Sequence, residues 1–282
     1  PDTDDGTAEP PIDQYFVTVF DGPGQGQTRR VVGREGAKLI LDRAWRVAPA
    51  AGAVVVVGTG YYQNLILANH TRDGMTGIQL WISCIENIVA GNTIARVRKP
   101  AIFLFAHGTT LASSMPRTWN RGLAPLLFNH IEGNFSDEAS AGILVTSGDY
   151  AGIPIRFPRA LGNVLRHNTM IRSRTDGVII RSRRNDADEE TSPSVLGTVV
   201  EHNVVRDSHC AYHAGSGADG IVFHRNHAYF WYPVNNDPAP PTAFRIDRPN
   251  ATVAIDQNTI EGIHGTGVPP ETVVPIGRPE VE

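Results

Sequence analysis

One asparagine setting recurs along this chain: apolar-x-x-Asn-x-(small or apolar). It occurs at Ile66…Asn69, Val89…Asn92, Leu126…Asn129, Leu165…Asn168, Val200…Asn203, Phe223…Asn226 and Ile255…Asn258. Two residues beyond each Asn stand Thr71, Ile94, Ile131, Met170, Val205, Ala228 and Ile260, and the successive spacings are 23, 37, 39, 35, 23 and 32 residues. Self-similarity at a period of roughly 20–40 residues marks a solenoid, in which each repeat buries its apolar face only by stacking on its neighbours.

A second signal lies between the asparagines. Gly77–Ile82, Ala101–Phe105, Gly142–Thr146, Gly177–Arg181 and Ala243–Asp247 are short apolar runs that open on Gly or Ala. Ile78/Leu80, Ile102/Leu104, Ile143/Val145, Val178/Ile180 and Phe244/Ile246 share one parity, and period-two alternation places that set on the inner face. Each repeat therefore reads as strand, turn, strand, Asn turn, strand. The Asn suits a tight turn because its short amide tolerates left-handed backbone and bonds nearby backbone groups. Stacked ~4.8 Å apart, such side chains can also bond one another in a ladder. Asn64, Asn87 and Asn163, five positions earlier in their repeats, suggest a second, partial ladder.

This pattern resembles the right-handed parallel β-helix, or pectate-lyase-like, superfamily over about residues 60–265. The resemblance implies an all-β solenoid of about seven coils. It leaves function open, since that fold carries lyases, hydrolases, epimerases, phage tailspikes and adhesive surface proteins.

Residues 1–14, acidic and proline-rich, read as a linker. Residues 15–58 read as a small β module that caps or flanks the first coils, 59–268 as the β-helix, and 269–282 as a C-terminal tail. Within the module, Gly-x-Gly-Gln-x-Arg (Gly24–Arg29) followed by Leu-Asp-x-x-Trp-x-x-x-Pro (Leu41–Pro49) resembles an insert seen beside bacterial β-helix domains. The glycine run is no phosphate loop, because neither a Gly-Lys-Ser/Thr nor a helix follows. Trp45 reads as core. The absence of an initiator Met suggests processing or a longer parent chain with further domains.

Composition narrows the partners. With 282 residues and a net charge of −4, no polybasic footprint for nucleic acid is present. No run reaches the ~18 apolar residues of a membrane span. Cys84 and Cys210 fall about four coils, roughly 19 Å, apart, too far for a disulfide, and read as buried free thiols. The segment His209-Cys210-Ala211-Tyr212-His213 does not suit a metal, since strand neighbours face opposite ways. Of the ten histidines, His70, His130 and His227 each follow a ladder asparagine and His167 and His202 each precede one; these read as surface stacks.

The resemblance implies that a sugar chain lies along the outer face of one parallel sheet. By parity the outward residues are Gln79 and Trp81, Phe103 and Phe105, Leu144 and Thr146, Ile179 and Arg181, Tyr212 or His213, then Arg245 and Asp247. Aromatic faces suit pyranose rings, and arginine suits carboxylates. The expected partner is an acidic polysaccharide, the expected location extracellular or cell-surface. Trp81, Phe103, Phe105, Tyr212 and Arg183 are the candidate binding residues. The inserts Thr109–Arg121, Arg183–Val195 and Trp231–Pro241 could instead cover this face and leave a second small core.

Two chemistries are open. A lyase needs a base beside a uronate and a cation for the developing anion; Arg181, Arg183 and Arg245 with His213 or Tyr212 are candidates. A hydrolase needs two carboxylates at defined separation, for which Asp247, Asp149, Asp176 and Asp207 are available. The Asp pairs of polygalacturonases are absent, and Arg156-Phe157-Pro158-Arg159 matches the Arg-x-Pro-x-x-Arg of pectate lyases only superficially. No cofactor is expected; calcium would need a carboxylate cluster, and Asp186–Glu190 reads as a solvated turn. The alternative to an enzyme is a non-catalytic β-helix module of a larger extracellular, adhesive or phage-like protein.

Overall fold

The computed structural model describes residues 11–81, 83–109, 122–149, 159–182, 193–231, 241–247 and 252–262. They form a parallel β-helix with a four-stranded antiparallel module on its flank. Successive coils contribute one short strand to each of several parallel stacks. An inter-ladder sheet of seven strands runs from Leu65–Leu67 to Val253–Asp256, and a post-ladder sheet of seven from His70–Arg72 to Thr259–Gly262. A flank sheet of six runs from Tyr61–Tyr62 to Ala218–Asp219. The long sheet stacks Ile78–Trp81, Ile102–Thr109, Ile143–Asp149, Asp176–Ser182, Cys210–Ala214 and Thr242–Ile246, with Gly122–Ala124 added antiparallel.

Pairing is in register, so like positions stack. Ile66, Val89, Ile131, Leu165, Val200, Phe223 and Ile255 form one inward column. With Ile78/Leu80, Ile102/Leu104, Ile143/Val145 and Val178/Ile180 of the long sheet they make one continuous core. The strand-opening glycines are small because the corner is tight. A Cβ on Gly142 would lie 2.5 Å from the Gly177 carbonyl oxygen, and one on Gly177 2.8 Å from that of Ala211.

Two asparagine ladders frame the inter-ladder sheet. The first joins Asn64, Asn87, Asn129 and Asn163. The second joins Asn69, Asn92, Asn134, Asn168, Asn203, Asn226 and Asn258. In each rung the backbone N–H and Nδ2 of one Asn both donate to the Oδ1 of the next, as Asn92 does to Asn134 at 3.0 and 2.8 Å. This corrects the repeat as read from sequence. Asn129 belongs to the first ladder, and Asn134 fills the second. The misreading arose because Leu126-x-x-Asn129 and Ile131-x-x-Asn134 both satisfy the pattern, while Ser136, two residues past Asn134, points inward where the other coils carry mostly apolar residues.

The left-handed backbone expected of the asparagines sits one residue earlier. Glu86, Phe128, His167, His202, Arg225 and Gln257 have φ between 51 and 54°, and Gly91 and Gly133 share the conformation. Non-glycine residues are strained there, and the ladder bonds that follow hold them in place. A third left-handed column, Asp73, Arg96, Glu138, Arg172 and Asp207, alternates in charge. Arg96 pairs with Asp73 at 2.7 Å, and Arg172 with Glu138 at 3.3 Å and with Asp137. On the second ladder's turns the rings of His167 and His202 stack at 5.1 Å.

The antiparallel module comprises Tyr15–Asp21, Thr28–Glu35, Lys38–Leu41 and Val54–Thr59. It lies along the side of the solenoid. Phe16 joins one apolar cluster with Tyr62, Ile85, Leu127, Phe128 and Leu161, and that cluster runs over four successive rungs of the flank sheet. Gly26 has φ 84°, and a Cβ there would meet the Phe128 ring at 2.7 Å. The Gln-x-Arg segment ties the module together internally. Arg29, buried, donates to the Ala44 and Thr28 carbonyls and to Gln27 Oε1, and its guanidinium lies 4.9 Å over Trp45. Gln27 Oε1 also accepts from the backbone of Arg46 and Val47. Trp45 is therefore a clamp within the module.

Cys84 and Cys210 are both buried, and neither is in a disulfide. Burial pushes the Cys84 thiol up to about 12. The Cys210 thiol is raised too, first by burial and then by neighbouring Asp176.

Candidate functional site

The outer face of the long sheet carries two in-register columns. One runs Gln79, Phe103, Leu144, Ile179, His213, Arg245. The other begins Trp81, Phe105, Thr146, Arg181. Exposure varies along them. Trp81 is 47% exposed at the first coil. Phe105, Leu144, Thr146 and Ile179 are buried. Arg181 and Arg245 are exposed again at the far end.

At that far end charged side chains from separate coils converge. His213 is 4% exposed. Its Nδ1 lies 3.2 Å from Asp176 Oδ1 and its Nε2 2.9 Å from Asp247 Oδ2. Arg245 donates from Nε to Asp247 Oδ1 at 2.9 Å. The result is a relay from inside to surface: Asp176, His213, Asp247, Arg245, with side-chain exposures of 13, 5, 29 and 59%. Gly215 keeps the adjoining space open. A Cβ there would lie 2.8 Å from Arg181 Cβ and 3.4 Å from both His213 Nε2 and Asp247 Oδ2, so Arg181 rises beside the Asp247 carboxylate.

Competing forces act on Asp247. Partial burial raises its pKa, but the hydrogen bond and charge of His213, followed by those of Arg245, outweigh this and hold its carboxyl below the usual value. It stays ionised while remaining partly open to solvent.

Several sequence candidates are re-placed. Tyr212 points inward, because it pairs with Val178 and Phe244 in the inner column. It is fully buried, stacks on Phe244 at 5.3 Å, and its hydroxyl lies 2.9 Å from the carbonyls of Asn203 and His227. It touches no outer-face ligand. Phe105 faces outward but is only 3% exposed and stacks on Phe103 at 5.5 Å, so it offers no free ring face. Phe103 is half-buried and packs with Leu144 and Ile179. His213 has both ring nitrogens engaged, which makes it a positioning group for Asp247. Asp207 lies on the third turn column and accepts from Trp231 N–H at 2.7 Å, away from this face. Asp219 caps a turn, accepting from Gly220 and Thr252 N–H. Arg183, the Asp149 side chain, the Asp186–Glu190 loop and most of the three long inserts lie outside the described residues.

The geometry separates the two chemistries. Asp176 and Asp247 are the pair a hydrolase would use, yet the His213 imidazole fills the space between them, where an attacking water or a sugar carbon would have to stand. One oxygen of each carboxylate meets that imidazole, and the other oxygen of Asp247 accepts from Arg245. Among the described residues no group of three or more His, Cys, Asp or Glu side chains is arranged for a metal. Nor is any helix there long and apolar enough to cross a membrane. No protein-family model matches the chain. No curated protein matches it either.

Proposed function

We propose that this is a carbohydrate-active, pectate-lyase-like β-helix protein that engages an acidic polysaccharide at the Arg181–Arg245–Asp247 corner and cleaves it by β-elimination. The observation that carries the reading is the Asp176–His213 pair, its imidazole buried, holding an ionised Asp247 between two exposed arginines. Arg181 and Arg245 receive a uronate carboxylate and offset the charge that grows on it as the adjacent C5 proton leaves. Asp247 takes that proton. The electron pair forms the C4–C5 double bond, the C4–O bond breaks, and the departing oxygen takes a proton from water. Trp81, three rungs or ~14 Å from Arg181, stacks against a more distant sugar of the same chain. Such substrates lie outside cells, which suits an extracellular or cell-surface protein.

One observation favours a second reading. The middle of the face, at Phe105, Leu144, Thr146 and Ile179, is buried, as in a non-catalytic module of a larger adhesive or phage-like protein. Incubation with polygalacturonate, alginate and hyaluronan decides between them, following both unsaturated-product absorbance and new reducing ends. Both signals, abolished in a folded Arg181→Ala protein, support elimination. Reducing ends alone point to hydrolysis. Silence from a folded wild type favours the module, and full activity in Arg181→Ala removes this site.

A further inference from the structure

A cavity of ≈ 530 Å³ opens where the chain passes from the flank module into the first coil. It lies on the elbow between Val54–Thr59 and Tyr61–Tyr62. Tyr15, Tyr61 and Tyr62 bring aromatic surface to it, and Asp13, Arg30 and Asn64 bring polar groups. Tyr61 is 64% exposed, while its backbone is fixed by bonds to Ser83 O and from Asn87 Nδ2. It is an open ring on a rigid strand.

Asn64 adds an independent observation. It heads the first ladder, donating from N and Nδ2 to Asn87 Oδ1, both at 2.9 Å. The Oδ1 atoms of Asn87, Asn129 and Asn163 each take two donors from the coil before. Among the described residues nothing donates to Asn64 Oδ1, because no coil precedes it. Asn64, an exposed residue of the cavity lining, therefore carries an amide oxygen that no described protein group has taken, on a side chain held by its two bonds to Asn87.

We propose that this cavity is a binding site for a neutral saccharide chain. Pyranose C–H faces stack on tyrosine rings, sugar hydroxyls donate to Asn64 Oδ1 and Asp13, and Arg30 donates to ring or hydroxyl oxygens. Asp13 and Arg30 carry opposite charges, so the lining selects a ligand without net charge, unlike the arginine-rich corner on the long sheet. The site would anchor the protein on a glycan and is independent of any cleavage elsewhere.

Titration calorimetry on the full chain tests it, with cellohexaose and maltohexaose as probes at millimolar concentration. The expected result is binding of at least one hexasaccharide, weakened about tenfold or more by Tyr61→Ala with no change in thermal midpoint, and unchanged in Arg181→Ala. Absence of binding by both probes overturns the proposal. So does wild-type affinity in Tyr61→Ala, or loss of the neutral ligand in Arg181→Ala. Loss or absence of polyuronate cleavage bears only on the long-sheet corner.

Discussion

Asn168→Ala probes the ladder at its centre. Asn168 is 1% exposed. Its Nδ2 donates to Ile131 O at 2.8 Å and Asn203 Oδ1 at 2.9 Å. Its Oδ1 accepts from Asn134 N at 3.0 Å and Asn134 Nδ2 at 2.9 Å. Alanine removes all four bonds. Asn134 Nδ2 keeps Val89 O, and Asn203 Oδ1 keeps the Asn168 backbone N–H. The buried Asn134 N–H loses the acceptor it had, at about 1–3 kcal/mol, and each of the other three bonds contributes about 0.5–1.5 kcal/mol. The expected loss of stability is therefore at least about 2.5 kcal/mol. Asn69→Ala, at the exposed head of the same ladder, gives up only Nδ2 bonds to Leu67 O and Asn92 Oδ1 and should cost about 1 kcal/mol or less. Asn168→Asp keeps the shape but sets a carboxylate against the Asn203 carbonyl oxygen, and should cost as much as alanine or more. Urea unfolding followed by circular dichroism measures all three. Equal costs for Asn168→Ala and Asn69→Ala would refute the view that buried rungs, and not turn propensity alone, hold the coils in register.

Ile180→Asp places an unpaired charge in the core and should abolish cooperative unfolding, whereas Arg181→Ala should melt like wild type; a folded, cooperative Ile180→Asp protein contradicts the assigned inner face. Asp247 has a folded pKa below its ordinary value of 3.8. The stabilisation it adds is complete above that value and drains as pH falls through the folded one. Asp247→Asn should accordingly flatten the acid limb of the melting-temperature profile, and an unchanged limb argues against the His213 and Arg245 contacts. Both thiols should resist a disulfide-exchange reagent at neutral pH until the protein is unfolded, because burial keeps them protonated; rapid labelling of either in the folded protein would place it at the surface. Gly26→Val should lift the module from Phe128 and expose the segment around Phe16 to protease while the solenoid stays resistant; an unchanged digestion pattern would mean that the contact is dispensable.

The solenoid was legible because repetition multiplies a weak local signal. Ile66, Val89, Leu165, Val200, Phe223 and Ile255 each fit the pattern poorly alone and well together. Asn134 escaped because coil length varies, and an extra Asn in the same apolar setting at 129 offered a competing register. The identical Gly-Asn at 91–92 and 133–134 was a weak clue, because Gly162-Asn163 carries the same pair in the first ladder. Tyr212 was misplaced for a related reason. Cys210–Ala214 is buried throughout, so the strand has no alternation of its own, and only pairing with Val178 fixes which residue faces in. The relay at His213 draws on Asp176 and Asp247, 37 and 34 residues away, and depends on how rungs of unequal length align. The charge-alternating column from Asp73 to Asp207 was hidden in the same way. Parity did put Arg181, Arg245 and Asp247 on the outer side; Phe244, Arg245, Ile246 and Asp247 alternate in type, whereas Val178-Ile179-Ile180 do not, and there the parity came from the neighbouring repeats.

The flank module has a mechanical consequence. Through Phe16 and Gly26 the module lies against a cluster that runs over four stacked rungs, Tyr62, Ile85, Leu127 and Leu161, and so acts as a splint bolted across the first half of a rod. A rung there cannot peel away singly, because it must shear past an apolar cluster shared with its neighbours. Among the described residues that cluster ends at Leu161. Under tension applied to its two ends, such a rod gives way first in the unsplinted half and shortens rung by rung toward the brace, which makes the module a stop that protects the first coils when the rest has been pulled out.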